Sequence, residues 1–238
     1  MPGINAYPFS FKVQYQPTYM TTQVEDNYRH IGMRRKLLSE IEQQGITNER
    51  VLTAMLAVPR HVFFEKAFLE KAYENVAFPI GEGQTISQPY TVAYQTQLLD
   101  VNKGDKILEI GTGSGYQACI LAEMGARVIS IERNRKLHDK AKEMVKQLGY
   151  SSITLTFGDG YEGAPIYAPF DKILVTAAAP EIPPKLLDQL KIGGILVIPV
   201  GSENTQVMLR ITKLAENDFK EEKGQLFKFV PMLKGKIG

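Results

Sequence analysis

The spacing of apolar and polar residues divides the chain near residue 105. Before that point the apolar positions recur at helical intervals. Ile31, Leu37, Leu38 and Ile41 share one face between Asn27 and Gln44, and Gly45 suits the position just past a helix end. "NERVLTAMLAV" predicts a second, short helix that stops at Pro59, and "RHVFFEKAFLEKAY" predicts a third. In "AFPIGEGQTISQPY" glycine and proline break either period, so the stretch reads as a loop. "TVAYQTQLLDV" returns to helix before the turn "NKGD". From Lys106 onward, β-branched runs alternate with helical ones. "KILEI", "RVISIE", "ITLTFGD", "FDKILVTAAA" and "GGILVIPVG" predict strands. "GYQACILAEM", "NRKLHDKAKEMVKQLGY" and "PPKLLDQL" predict the helices between them. "TQVMLRITKL" and "QLFKFV" predict a closing antiparallel hairpin.

Strands separated by helices of this length imply βαβ units with right-handed crossovers. The expected fold is α/β and Rossmann-like: a doubly wound, mostly parallel sheet with N-terminal helices. Residues 1–24 have no helical period and carry Pro2, Pro8 and Pro17. They read as an extension, either a loose arm or one docked through Tyr7, Phe9, Phe11, Tyr15 and Tyr19. Residues 25–238 read as one domain, in which 25–104 is the helical, loop-bearing part and 105–238 the sheet.

Composition adds mainly exclusions. The net charge is +2, and no block of like charge points to nucleic acid or an acidic tail. The single cysteine, Cys119, rules out a disulfide within the chain. No apolar run is long enough to span a bilayer, and the N-terminus lacks the apolar core of a signal peptide. The expectation is a soluble cytoplasmic protein, a monomer or weak homo-oligomer, with neither a nucleic-acid nor a membrane partner.

The chemistry concentrates in "EIGTGSGYQ", where the first strand of the sheet meets a helix. Gly111, Gly113 and Gly115 permit positive φ and close backbone approach, and Thr112 and Ser114 lie between them. Glu132 ends the next strand, about 20 residues on, where an acid can accept both hydroxyls of a ribose, and Arg133 follows it. A dinucleotide fingerprint would read G-x-G-x-x-G and receive a pyrophosphate at the helix N-terminus. Here the spacing is G-x-G-x-G, and Glu109 stands two residues before the first glycine. A carboxylate there would repel a pyrophosphate and suit a cationic ligand such as S-adenosylmethionine, which carries a sulfonium and an ammonium. "GDG", Gly158, Asp159 and Gly160, ends the third strand; Asp159 can bond an adenine amino group or simply shape a turn.

Longer motifs extend the pattern: "VPRHVFF", "PIGEGQTISQPYTVAYQTQLL", "ILEIGTGSGYQACILA", "VISIER", "VTAAAP" with "QLKIGG", and "FKFVPML". From about Met33 to about Met232 the chain resembles the protein-L-isoaspartate O-methyltransferases, within the class I S-adenosylmethionine-dependent methyltransferases. The glycine loop is shared by that whole class, whereas "GQTISQPY" and "VTAAAP" with "QLKIGG" are much narrower. Met232 stands where a leucine is common, and residues 1–24 have no recognisable counterpart. The resemblance implies methyl transfer from S-adenosylmethionine, with S-adenosylhomocysteine as product, to the free α-carboxylate of L-isoaspartyl residues in damaged proteins and peptides. The ester then loses methanol and gives a succinimide that partly reopens to aspartate.

Residue chemistry agrees. A carboxylate with a pKa of about 3.3–3.7 is ionised at neutral pH and needs no base to act as a nucleophile. Thr85, Ser87 and Gln88 offer hydroxyls and an amide that can orient it. The resemblance makes Ser87 the expected catalytic residue; its place before Pro89 also suits a helix cap. In "TAAA", Thr176, Ala177 and Ala178 have small side chains that leave backbone free to pair with an extended peptide, or that allow tight packing. Arg60 can anchor a loop or bind a carboxylate, and Cys119 reads as a small buried residue. His30, His61 and His138 show no metal-ligand spacing, so no metal is expected. The rival readings are a small-molecule carboxyl or amine methyltransferase, a non-catalytic binding module and a dehydrogenase.

Overall fold

The computed structural model describes residues 25–238, so the extension at 1–24 lies outside the described residues. Three helices lead in: α1 (Tyr28–Gln43), α2 (Glu49–Ala57) and α3 (Pro89–Leu99). The Asn27 side chain accepts from the His30 backbone N–H, and that of Asn48 accepts from Arg50 and Val51, so each start satisfies donors that a helix otherwise leaves open. The third predicted helix is two 3₁₀ segments instead, Arg60–Phe63 and Lys66–Tyr73. The predicted loop is a small hairpin, β1 (Phe78–Gly81) and β2 (Gln84–Ile86), turned through Glu82 and Gly83 at positive φ.

The main sheet has seven strands: β3 (Lys106–Ile110), β4 (Arg127–Glu132), β5 (Ile153–Phe157), β6 (Phe170–Val175), β7 (Leu190–Gly201), β8 (Gln206–Ala215) and β9 (Asp218–Phe227). Between them lie α4 (Tyr116–Glu123), α5 (Arg135–Gln147) and α6 (Pro184–Asp188). The strand order is β5-β4-β3-β6-β7-β8-β9. Strands β5 to β7 run parallel, and β8 and β9 close the edge antiparallel. The expected fold class is therefore present, with β9 beginning at Asp218, well before the predicted run.

Alternation along the strands builds two cores. Ile107, Val128, Leu174 and Val197 face α1 to α4, while Leu108, Ile129, Ile173 and Leu196 face the other side. The chain steps outward from β3 to β4 and β5, then returns to place β6 on the opposite flank of β3. That reversal leaves a crevice at the carboxyl ends of β3, β4 and β6, where a ligand finds open backbone groups.

Candidate active site

The crevice is a cavity walled by the β1–β2 turn, the loop after β3, the end of β4, Thr176 and Ala177 after β6, and the C-terminal segment. Gly111, Gly113 and Gly115 have φ of +97°, +53° and +87°. A Cβ on Gly111 would stand 2.6 Å from Thr176 Oγ1, so only glycine lets the loop lie against β6. Ser114 Oγ accepts from the Tyr116 N–H at the helix start. Thr112 is buried, and its hydroxyl lies 2.6 Å from that of Ser130.

Glu132 is fixed at the end of β4 by two backbone donors: Gly113 N–H to Oε2 and Asn134 N–H to Oε1, both at 2.9 Å. Asn134 in turn caps α5 through Lys136 and Leu137. One acid thus ties the glycine loop to the next helix and lines the cavity, where its remaining lone pairs can accept from a diol.

Glu109 behaves differently. It shares with Ile107 the face of the sheet toward α1 to α4, is fully buried, and does not line the cavity. Ser130 Oγ donates to its Oε2, while Oε1 has no partner among the described residues. Burial pushes the carboxyl up to about 8; the Ser130 hydrogen bond opposes that rise and the Glu132 charge adds to it. The structure therefore places Glu109 beneath the loop rather than against a ligand.

Asp159 is also occupied. Its Oδ1 accepts from Tyr161 N–H at 2.9 Å and its Oδ2 from Gly235 N–H at 2.6 Å, which is the turn role. Gly158 does not reach the cavity, while Gly160 does, and a Cβ there would meet Ile110 Cγ2 at 2.4 Å. Arg133 lines the wall and points its guanidinium to the Gly235 and Lys234 carbonyls, both at 3.1 Å.

The C-terminal segment is the wall that sequence reasoning passed over as a site. Ala178 N–H donates to the Val230 carbonyl and Met232 N–H to that of Ala178, at 2.8 and 2.7 Å. Ile237 N–H donates to Arg133, and Arg135 N–H to Ile237. Val230, Pro231, Met232, Leu233 and Ile237 thereby close one side of the crevice. The backbone of Ala178 is consequently spent on this segment and that of Ala179 on β7, so neither is open to an extended peptide. Thr176 binds the Ile110 carbonyl through both its N–H and its hydroxyl. Of the expected pairing edge, only Ala177 faces the cavity with its backbone uncommitted among the described residues. The signal for the missed wall was "FKFVPML", apolar but for Lys228 and carrying Pro231.

Thr85 and Ser87 stand at a border. Both line this cavity and an adjoining outer one, which Gln88, Tyr90, Asn204, Gln225, Phe227 and Lys228 help to form. The N-cap of α3 is Gln88 rather than Ser87, and it makes no side-chain cap bond. Ser87 Oγ has no hydrogen-bond partner among the described residues, so helix capping does not explain it. Arg60 lies behind this border and holds the Ser87 carbonyl at 2.8 Å. Asp26, His30 and His61 bring possible ligand atoms within 4.8 Å of one another, yet the Arg34 guanidinium grips both Asp26 oxygens. A cation there would face that positive charge.

The protein-L-isoaspartate(D-aspartate) O-methyltransferase family matches residues 33–237. The chain belongs to this family. It is 54% identical over 215 residues to the protein-L-isoaspartate O-methyltransferase of Cytophaga hutchinsonii, covering 90% of this chain and 96% of that one. It is equally identical over 213 residues to that of Flavobacterium psychrophilum, covering 90% and 100%. Among solved structures, one protein-L-isoaspartate O-methyltransferase aligns at a TM-score of 0.76 and 30% identity over 83% of this chain and 65% of that one. Another, from Plasmodium falciparum in complex with S-adenosyl-L-homocysteine, aligns at 0.74 and 27% over 85% and 99%. Among the described residues no helix is long and apolar enough to cross a membrane.

Proposed function

We propose that this chain transfers the S-methyl group of S-adenosylmethionine to the free α-carboxylate of L-isoaspartyl residues in damaged proteins and peptides, the activity its family's name states. The observation that carries this reading is the chemistry at the border between the two cavities. Thr85, Ser87 and Thr176 line both, and the residues that line the outer one include no carboxylate, imidazole or thiol. An alcohol or amine acceptor would need a group to take its proton. A carboxylate needs none, and Lys228 in the outer wall suits an anion.

The inner cavity suits the cofactor. Glu132 accepts the ribose hydroxyls, and the loop at Gly111–Gly115 lets the nucleoside approach the backbone. S-adenosylmethionine supplies a methyl group on a sulfonium and is released as S-adenosylhomocysteine. Its sulfonium and ammonium suit a cavity whose wall carries the Glu132 carboxylate. The carboxylate oxygen forms the new C–O bond as the C–S bond breaks toward sulfur, so one negative and one positive charge cancel without a proton moving. Alignment by Thr85 and Ser87, with water excluded by the C-terminal segment, is what this chain's residues contribute. Isoaspartyl proteins are thus the partners. We place the reaction in the cytoplasm, which suits the buried, unpaired Cys119, with the chain acting as a monomer or weak oligomer.

Radiolabelled methyl transfer to an isoaspartyl peptide tests the reading. Base-labile label on the peptide is expected. Label only on small carboxylic acids or amines would move the chain to the small-molecule alternative.

A further inference from the structure

Arg60 is among the largest fully buried side chains of the protein, at 1% exposure. Its Nε donates to the Ala72 carbonyl at 2.9 Å and its Nη2 to the Ser87 carbonyl at 2.8 Å. The guanidinium lies over the Tyr116 ring at 4.9 Å and the Phe64 ring at 5.5 Å. Nη1 has no hydrogen-bond partner among the described residues. Burial lowers its pKa only to about 10, so it stays charged at neutral pH. Arg34, the other large buried arginine, is paired with Asp26. Arg60 makes no ion pair with a carboxylate among the described residues. A buried cation is costly to keep unless something offsets it.

We propose that Arg60 is a positioning residue that fixes Ser87 and supplies the buried positive charge against which the substrate's free carboxylate is bound. This rests on the methyl-transfer reading above. The Ser87 carbonyl is held from behind by Nη2, which leaves the serine side chain directed at the border of the two cavities. Tyr116, which carries the guanidinium on its ring, lines the inner cavity. The charge therefore sits one residue's thickness behind the acceptor site. It favours an anionic ligand over a neutral one. Methylation removes the anion, so the same charge loosens its hold on the ester product. Because the transition state is less anionic than the bound carboxylate, Arg60 aids binding more than the chemical step.

The test is steady-state kinetics on an isoaspartyl peptide with wild type, Arg60→Lys and Arg60→Met. A competing peptide that carries a neutral carboxamide in place of the α-carboxylate completes it. The wild type should methylate the isoaspartyl peptide and bind the carboxamide at least about tenfold more weakly than the carboxylate. Arg60→Met should raise KM about tenfold or more, with kcat changed less, and should erase the preference for the carboxylate. Arg60→Lys, which keeps the charge, should recover most of that preference. S-adenosylhomocysteine affinity should stay within about twofold in both variants, as a check that the cofactor site is formed. An unchanged KM in a folded Arg60→Met, or equal loss in the lysine and methionine variants, would overturn the proposal. If the methionine variant does not fold, the wild type decides: equal binding of carboxylate and carboxamide peptides would overturn it too. A wild type inactive on the isoaspartyl peptide would count against the functional reading itself.

Discussion

At the scale of single residues, the acids at the strand ends divide their work by depth. Glu132 and Glu109 lie on the same face of the sheet, but Glu132 is the last residue of β4 and meets the crevice, while Glu109 pairs with Ser130, two residues deeper, and is fully buried. Glu132→Ala should weaken S-adenosylhomocysteine binding by roughly 1.5–3 kcal/mol, the range for a lost charge-assisted hydrogen bond, and alter the chemical step less. Calorimetry reads this directly, and unchanged affinity would remove Glu132 from the cofactor site. Glu109 predicts a pH effect on stability. Its carboxyl titrates near 8 when folded and near its ordinary 4.5 when unfolded, so between those values the folded state holds a proton that the unfolded state releases. Its contribution is fully present below about pH 4.5 and is lost as pH rises toward 8. Urea unfolding should show Glu109→Gln gaining on the wild type by on the order of 1–3 kcal/mol across that window. A constant difference would mean that Glu109 is ionised in the folded protein. Sequence alone identified Glu109, Glu132 and Asp159 but not which of them reaches the crevice, because the count of residues to a strand end does not say how deep a side chain lies or which backbone donors it meets. In sequence Ser87 suits both a cap and catalysis, because a helix start is legible only to within a residue or so; in the structure the cap position falls to Gln88.

At the scale of elements, the parallel core was legible because each strand there is a β-branched run, buried except in the edge strand β5, and each helix begins or ends on a recognisable residue. The β1–β2 hairpin was not, since strands of four and three residues carrying Pro79 and Gly81 are too short to show a period. The first half of β9 was missed for a different reason. It is an edge strand, "DFKEEKGQ", whose charges keep it from pairing with other chains and hide its alternation. The C-terminal segment escaped because it holds its place by backbone bonds to Ala178, Arg133 and Arg135 rather than by a regular pattern. The glycine loop, by contrast, was readable at once, and its geometry gives a sharp expectation. Gly111→Ala puts a methyl 2.6 Å from Thr176 Oγ1 at a φ of +97°. It should cost roughly 1–3 kcal/mol of stability and weaken cofactor binding. Thermal unfolding with and without S-adenosylhomocysteine checks both; a neutral result would mean that β6 yields to the loop.

At the scale of the whole molecule, the two cavities meet at Thr85, Ser87, Thr176 and Val230, which come from the β2 hairpin strand, the lead into α3, the end of β6 and the C-terminal segment. The inner wall draws on residues between Glu82 and Ile237 among those described. The motifs that carry the family resemblance begin only at about Met33, so deleting residues 1–24 should leave methyl transfer to a short peptide largely intact, and a large drop in a folded truncation would give the extension a part in the site. The central claim is that this border reads geometry. An isoaspartyl and a normal aspartyl peptide each present one ionised carboxylate, so charge cannot separate them. In isoaspartate the free carboxylate hangs directly on Cα; in aspartate it stands one methylene further from the backbone. Only one can bring its oxygen to about 3–3.5 Å from the methyl while Thr85 and Ser87 hold it. The most direct measurement is kcat/KM for both peptides, with wild type and Ser87→Ala in parallel. The wild type should strongly prefer the isoaspartyl peptide, and Ser87→Ala should lower that kcat/KM by the equivalent of about 1–3 kcal/mol while leaving cofactor affinity nearly unchanged. Equal wild-type rates on the two isomers would contradict the account.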